Sequence, residues 1–333
     1  MESTERARTD RVQQGEAGEA PEVSIVVPCC EEAENVPQLY AELLDVMRTF
    51  GHPWEVIFID DGSRDATWES ISALHQRDNR VAGLRLSRNF GHQNALLAGM
   101  LQAKGRAVIT MDADLQHPPQ VIPRLIAEWK NGSKVVHTIR IDSRDLFSAK
   151  WLTSRWFYSA FSSLSGVRME PGMADFRLLD GQVVNNLLRL PEQGMFLRGL
   201  VHWVGYPSSR VTFQARERAS GRSKYTFWRM LQFAWNGVTS FSVVPLRLGV
   251  LLGFLTSIVA FGELIYAIYM KATGRTVPGW ASAVGVVSLL FGILFVLIGI
   301  IGEYVGRILI EVRSRPRFLI SECVGFKGPL RED

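Results

Sequence analysis

The run Asp112-Ala113-Asp114-Leu115-Gln116 places two carboxylates one residue apart, directly after the apolar stretch Ala107 to Met111. Carboxylates so spaced on a strand-to-loop bend can grip a hard divalent cation. Mg²⁺ or Mn²⁺ prefers such oxygen ligands and commonly bridges them to phosphates. Gln116 can add an amide oxygen. A solvated acidic turn is the alternative for an isolated Asp-x-Asp. A second acidic pair, Asp60-Asp61, also closes an apolar run and is followed by Gly62-Ser63; two acidic strand ends in one sheet favour a binding role. Further along, Arg216, Arg218, Arg222 and Lys224 form a basic run around Gly221 and Ser223. The glycine lets the chain bend and the cations can hold phosphate oxygens, against the alternative of a solvated basic loop. Arg140 and Arg155 are weaker members of the same set.

These groups need a frame, and the apolar pattern supplies one. Strands are expected at Val23 to Val27 (closed by Pro28), Trp54 to Ile59, Val81 to Leu86, Ala107 to Met111 and Lys134 to Ile139. Helices are expected at Ala33 to Phe50, Ala66 to Gln76, Asn94 to Ala103 and Pro119 to Lys130. Strands alternating with helices indicate an α/β domain with a largely parallel sheet. Ligands of such sheets bind beyond the carboxyl ends of the strands, where the acidic clusters lie.

Two segments then leave this pattern. Val244 to Met270 has Glu263 as its only acidic residue, and Ala281 to Ile301 has no charge. Each exceeds the ~20 residues that cross a bilayer. Arg307, Arg313, Arg315 and Arg317 follow the second span and place the C-terminal tail, with the N-terminal domain, in the cytoplasm. Gly285, Gly292, Gly299 and Gly302 allow close helix packing and so a homo-oligomer. Leu146 to Leu164, rich in aromatics beside Lys150 and Arg155, is either a core helix or an amphipathic helix in the membrane interface. Tyr225 to Phe241 is expected to run along the membrane surface. The organisation is therefore a disordered tail (1–22), a cytoplasmic catalytic domain (23–224), a juxtamembrane amphipathic helix (225–242), two transmembrane helices (243–310) and a cytoplasmic tail (311–333).

Composition narrows the partners. The net charge of +4 is concentrated near the apolar stretch, which suits acidic headgroups or phosphates, and no zinc-finger or helix-turn-helix pattern points to nucleic acid. The three cysteines, Cys29, Cys30 and Cys323, are an odd number and share no metal spacing with the histidines, as expected of a reduced, cytosol-facing domain. Met1 to Glu22 is polar and lacks the apolar core of a signal peptide.

The chain resembles the polyprenyl-phosphate glycosyltransferases, the dolichol-phosphate-mannose-synthase-like branch of glycosyltransferase family 2. The resembling segments are VSIVVPCCEEAENV, FIDDGSRDAT, LSRNFGHQNALLAGM, VITMDADLQHPP, DFRLLD, FLRGLVHWVG and RERASGRSKYTFWRM, in that order and followed by two spans. The resemblance implies a GT-A fold and inverting transfer from a UDP- or GDP-linked sugar to a lipid phosphate such as undecaprenyl phosphate. Pro28, Cys30 and Glu32 would line the nucleotide pocket; the family usually has an aromatic at Cys30 and Asn at Glu31. Asp60 and Asp61 would meet base and ribose, Asp112 the nucleotide and cation, and Asp114 with Gln116 the cation. Arg88 and Asn89 match the family's Arg-Asn element. Asp175-Phe176-Arg177 matches a second acidic site near sugar and acceptor, where the Asp is usually assigned as general base. A phosphate monoester has its second pKa at about 6, so the acceptor is already largely ionised and Asp175 can instead orient a substrate. A helix-capping Asp is the structural alternative.

Two rival functions have distinct signatures. A processive polysaccharide synthase would carry Gln-x-x-Arg-Trp, and here Leu152 stands where the Gln before Arg155-Trp156 would be. An inactive scaffold would not be expected to retain Asp112, Asp114, Gln116 and the basic run together.

Overall fold

A computed structural model describes residues 20–141, 172–190, 192, 197–214, 244–274, 279–326 and 328–331. The chain divides into two compact units, an α/β unit that includes the chain from Pro316 onward and a helical unit.

In the α/β unit, β1 (Val23–Cys29), β2 (Trp54–Asp60), β3 (Val81–Leu86) and β4 (Ala107–Thr110) alternate with α1 (Asn35–Met47), α2 (Thr67–Arg77) and α3 (His92–Gln102). A short 3₁₀ turn (Pro119–Val121) and α4 (Ile122–Lys130) lead to β5 (Val135–Arg140). Next come β6 (Met173–Asp180), α5 (Gly181–Leu188), α6 (Leu197–Trp203) and β7 (Ser208–Phe213). The strand β8 (Ile320–Val324) follows the helices α7 (Val244–Ala272) and α8 (Trp280–Arg313) of the other unit. One sheet contains all eight described strands, in the order β7-β5-β6-β4-β1-β2-β3-β8. Six run in one direction; β6 and β8 run against them.

The central strands are apolar throughout because both faces are covered: every residue of β1 is buried, and β2 is buried except at Glu55. Strand β1 continues through Pro28, which was expected to close it. Pairing with β4 ends at Val26, whereas pairing with β2 continues to Cys29. The missing proline N–H is therefore tolerated on the β4 side, where pairing has already ended. Helix α1 buries Val36, Leu39, Tyr40, Leu43 and Met47 against the sheet, the three-and-four spacing of one helical face.

Strand β6 is the element that shapes the site. It enters antiparallel beside β4, with Thr110 opposite Arg177, so its first residues lie at the carboxyl end of β4. Strand β8 was not expected from the sequence, which left 311–333 as a tail. It pairs antiparallel with β3, Leu84 opposite Cys323. Glu322 accepts hydrogen bonds from Trp68 Nε1 at 3.0 Å and Arg85 Nη1 at 2.8 Å. Arg331 and Gln102 bond reciprocally, backbone to side-chain amide, at 2.7 and 3.1 Å.

The helical unit contains two stretches long and apolar enough to cross a membrane, Leu246–Met270 and Gly285–Arg313. Their large apolar side chains are mostly exposed. Leu297 of α8 packs over Gly249 of α7. Helix α8 runs twelve residues past the expected end at Ile301; its extra turns are amphiphilic, and Glu303 pairs with Arg307 at 2.9 Å. Nothing lies within 4 Å of where a Cβ would stand at Gly285, Gly292, Gly299 or Gly302. The segments 142–171 and 215–243, which hold both expected interfacial helices, lie outside the described residues, as does 1–19.

Candidate active site

A cavity of about 330 Å³ opens at the carboxyl ends of the central strands. Pro28, Cys29, Cys30 and Glu32 line it from the end of β1, Asp61 from β2, and Asp112 to Asp114 from β4. Asn89, Gly91 and His92 complete it from the entry to α3. Two non-glycine residues adjacent in sequence to the lining, Glu31 and Leu115, have φ near +60°. L-residues hold that conformation at a cost, and such costs cluster at functional bends.

The two aspartates of the Asp-Asp-Gly-Ser element part company. Asp60 is fully buried and does not line the cavity. Its Oδ1 accepts the Ser63 N–H at 2.9 Å, and its Oδ2 lies 3.4 Å from Arg85 Nε. It thus sits beneath the loop that carries Gly62 and Ser63. Asp61 does line the cavity and accepts the N–H groups of Phe90 at 2.7 Å and Gly91 at 3.0 Å. Burial raises its pKa, overcoming those two bonds. Gly62 makes the loop possible: its φ is +69°, and a Cβ there would stand 2.4 Å from the carbonyl carbon of Arg88. Arg88 lies over the Phe90 ring, 4.0 Å from its centroid. Asn89 Nδ2 points at Cys30 Sγ, 3.4 Å away. Burial, and then the negative charges of Asp114, Asp65 and Asp112, raise the Glu32 pKa against a lowering hydrogen bond from Asn35.

Asp112 Oδ1 is buried and has no hydrogen-bond partner, although His92 Nε2 stands 3.5 Å from it. The Asp112 N–H donates to His117 Nδ1 at 3.0 Å. That nitrogen carries no proton, so its 3.7 Å approach to Asp112 Oδ2 is not an ion pair. Asp114 accepts from Gln116, through the side-chain Nε2 and through the backbone N–H at 3.2 Å. Gln116 Oε1 accepts from Arg140 Nη1 at 3.2 Å.

This donor set fits a hard cation in part. The carboxylates of Asp112 and Asp114, which line the cavity together, suit Mg²⁺ or Mn²⁺. Gln116 turns its amide nitrogen, not its oxygen, toward Asp114; ligation by Gln116 requires the amide to flip and give up Arg140. Among the described residues no group of three His, Cys, Asp or Glu could hold a metal ion. Two carboxylates from the protein would leave further positions of a bound cation to diphosphate and water, as Mg²⁺ commonly has.

Beside Asp112, β6 presents Asp175 and Arg177 on the same face, two residues apart. Both are buried. Arg177 Nη2 donates to Asp175 Oδ1 at 2.5 Å. Arg198 of α6 grips the same carboxylate with two bonds, Nε to Oδ1 at 2.9 Å and Nη2 to Oδ2 at 2.6 Å. His92 Nε2 lies 3.6 Å from Asp175 Oδ2. Burial alone would raise the Asp175 pKa, but His92, Arg198 and Arg177 outweigh it and hold the carboxyl well below the usual range. The helix-capping aspartate here is Asp180, which accepts the Gln182 N–H at 3.0 Å. Burial would lower the His92 pKa, and Asp175 with Asp112 raises it.

Of the expected site residues, Pro28, Cys30, Glu32, Asp61, Asp112 and Asp114 line the cavity. Asp175, Arg177, Gln116 and Arg140 stand behind them. Arg155, Arg216, Arg218, Arg222, Ser223 and Lys224 lie outside the described residues. His92 and Arg198 were missed. The signal for His92 was a histidine opening a helix directly after a glycine; for Arg198 it was a lone cation among Leu197, Gly199, Leu200 and Val201, all buried.

The mixed sheet of this order, with acidic strand ends around a cleft, is a fold of the GT-A type. Residues 24–180 match Glycosyl transferase family 2. An uncharacterized glycosyltransferase of Synechocystis sp. is 36% identical over 92% of this chain and 96% of its own length. A prophage-derived bactoprenol glucosyl transferase of Shigella flexneri is 37% identical over 90% of this chain and 97% of its own. The chain belongs to glycosyltransferase family 2. Among solved structures, glucosyl-3-phosphoglycerate synthase from Mycobacterium tuberculosis, in complex with Mn²⁺, UDP and glucosyl-3-phosphoglycerate, is similar with a TM-score of 0.43. It is 15% identical, covering 66% of this chain and 78% of that one.

Proposed function

We propose that this glycosyltransferase moves a sugar from a UDP- or GDP-linked donor to a polyprenyl phosphate, with undecaprenyl phosphate the expected acceptor. The observation that carries the reading is the union, in one chain, of an acidic strand-end cavity and two exposed apolar helices. A soluble acceptor would not call for the helices, and a relative named for bactoprenol glucosyl transfer matches both parts. The helices anchor the enzyme in the cytoplasmic membrane with the α/β unit on the cytoplasmic side. The open glycine positions of α8 leave room for a second copy.

In the proposed reaction an oxygen of the acceptor phosphate attacks the anomeric carbon from the face opposite the donor diphosphate. A new carbon–oxygen bond forms, the bond to the diphosphate breaks, and the nucleoside diphosphate departs with the electron pair. Configuration inverts. The attacking oxygen is already ionised near neutral pH, so no base is required, and Asp175 is unsuited to be one with both oxygens engaged and its pKa depressed. Asp175 instead holds Arg177 and Arg198 beside the cavity, where fixed positive charge favours two anionic reactants meeting. Asp61 positions the start of α3, and Asp112 with Asp114 would hold a divalent cation. Such a cation, when bound, would offset charge on the departing diphosphate.

The test is release of nucleoside diphosphate by the purified full chain from a panel of nucleotide-sugars, with and without undecaprenyl phosphate, and in excess chelator. Release should require the lipid phosphate, fall to background in chelator, and be lost in folded Asp114→Ala. Equal release without lipid would remove the acceptor assignment, and full activity in chelator would remove the cation.

A further inference from the structure

We propose that His92 is a positioning residue that ties the Asp112 carboxylate to the Asp175–Arg198 ion cluster and so fixes how Asp112 meets the donor nucleotide and its cation. The inference rests on the reading of the cavity as the donor site.

The backbone places His92 before any side-chain choice is made. Asp61 accepts the N–H groups of Phe90 and Gly91. Gly91 takes φ +94° as the residue before α3. The first helical residue is then His92, whose side chain lines the cavity. One acidic motif thereby delivers an imidazole to the other.

The imidazole arrives between two carboxylates. β4 and β6 are adjacent, and the side chains of Asp112 and Asp175 face the same ring nitrogen, Nε2, at 3.5 and 3.6 Å. Asp175 is already served by three guanidinium bonds. Asp112 Oδ1 is buried and has none. A ring N–H therefore meets its greater need at Asp112. His117 does not compete for that oxygen, because its Nδ1 accepts the Asp112 N–H. The present distance is longer than a strong hydrogen bond, and such contacts commonly tighten when a site fills. With Oδ1 held by His92, the Asp112 carboxylate has one preferred orientation, and Oδ2 is the oxygen left for the nucleotide or cation. Without His92 the carboxylate turns freely, and nothing separates it from Asp175.

The test compares His92→Ala and His92→Gln with the wild type as full chains in detergent. Glutamine puts a neutral N–H near the position of Nε2. UDP and GDP binding are titrated by calorimetry at graded Mg²⁺ or Mn²⁺, and donor KM, kcat and Tm are measured in parallel. His92→Ala should raise the cation concentration for half-maximal nucleotide binding, and the donor KM, by about tenfold, the scale of one hydrogen bond to a charged group. Acceptor KM and Tm should stay within error, and His92→Gln should recover most of the loss. An alanine variant that melts lower but binds nucleotide and cation like the wild type would make His92 a packing residue and overturn the proposal. A wild type that binds neither nucleotide with either cation would instead remove the donor-site reading, and the inference with it.

Discussion

Asp175 is proposed to act by holding two arginines and not as a base. Its charge is committed to Arg177 and Arg198, and Arg177 in turn faces a neutral histidine on the next strand. His137 lies opposite Arg177 and stacks on His202 with ring centroids 4.5 Å apart and planes within 7°. Burial, then the charges of Arg177, His202 and Arg210, lower its pKa from 6.5 to about 3. The unfolded chain therefore takes up this proton near pH 6.5, and the native state only near 3. The contribution to stability is whole above pH 6.5 and lost as the pH falls through that window, by up to ~1.4 kcal/mol per unit. Tm measured from pH 7 to 4.5 should fall for the wild type and fall less steeply for His137→Gln; parallel slopes would place the proton on another group. At this scale the sequence disclosed the carboxylates that follow apolar runs, because a strand end announces itself. It hid Arg198, which reaches Asp175 from another element, and it could not distinguish Asp60 from Asp61. Only the paired sheet shows which of two neighbours points inward.

The elements that were legible are those buried on two faces. Strands β1 to β5 are apolar runs bounded by turns, and the helices between them repeat at three and four residues. Strand β6, MADFRLLD, was read for its motif and not as a strand, because its early polar residues are satisfied by one another. Strands β7 and β8, SSRVTF and ISECV, are edge strands with polar residues facing out, so their pattern is too weak to separate from a loop. Strand β8 still matters to the fold: it covers the β3 edge, and Glu322 joins Trp68 to Arg85, whose Nε approaches Asp60. A chain ended after Arg315 loses these bonds and the Arg331–Gln102 pair while keeping both apolar helices. The lost hydrogen bonds contribute about 1 kcal/mol each, less for the exposed Arg85–Glu322 pair, so the shortened protein should lose at least ~2 kcal/mol. Differential scanning fluorimetry in detergent should show a lower Tm and earlier aggregation; an unchanged Tm would make β8 incidental.

Across the whole molecule the open question of chemistry is where the lipid phosphate waits. Its tail remains in the bilayer, so the phosphate rises only to about headgroup level. We propose that Arg216, Arg218, Arg222, Ser223 and Lys224 receive it, since they directly precede the segment expected at the membrane surface; Arg140 and Arg155 are secondary candidates. A charge-assisted phosphate contact contributes ~1.5–3 kcal/mol. Arg222→Ala or Lys224→Ala should therefore raise the acceptor KM by about tenfold or more and leave donor KM unchanged. Titration of each substrate against both variants decides this, and a loss confined to the donor would assign the basic run to the diphosphate instead.

Because β8 is made after α7 and α8, the sheet of the α/β unit cannot be completed until both apolar helices have left the ribosome. During synthesis the β3 edge is bare for the whole time that α7 and α8 are being made. Completion of the sheet is thereby placed after synthesis of both apolar helices: the domain closes only once residues 320–324 emerge and dock. A chain whose helices stall outside the bilayer would keep an open sheet edge and two greasy helices together, the combination that marks a nascent protein for chaperones and proteases.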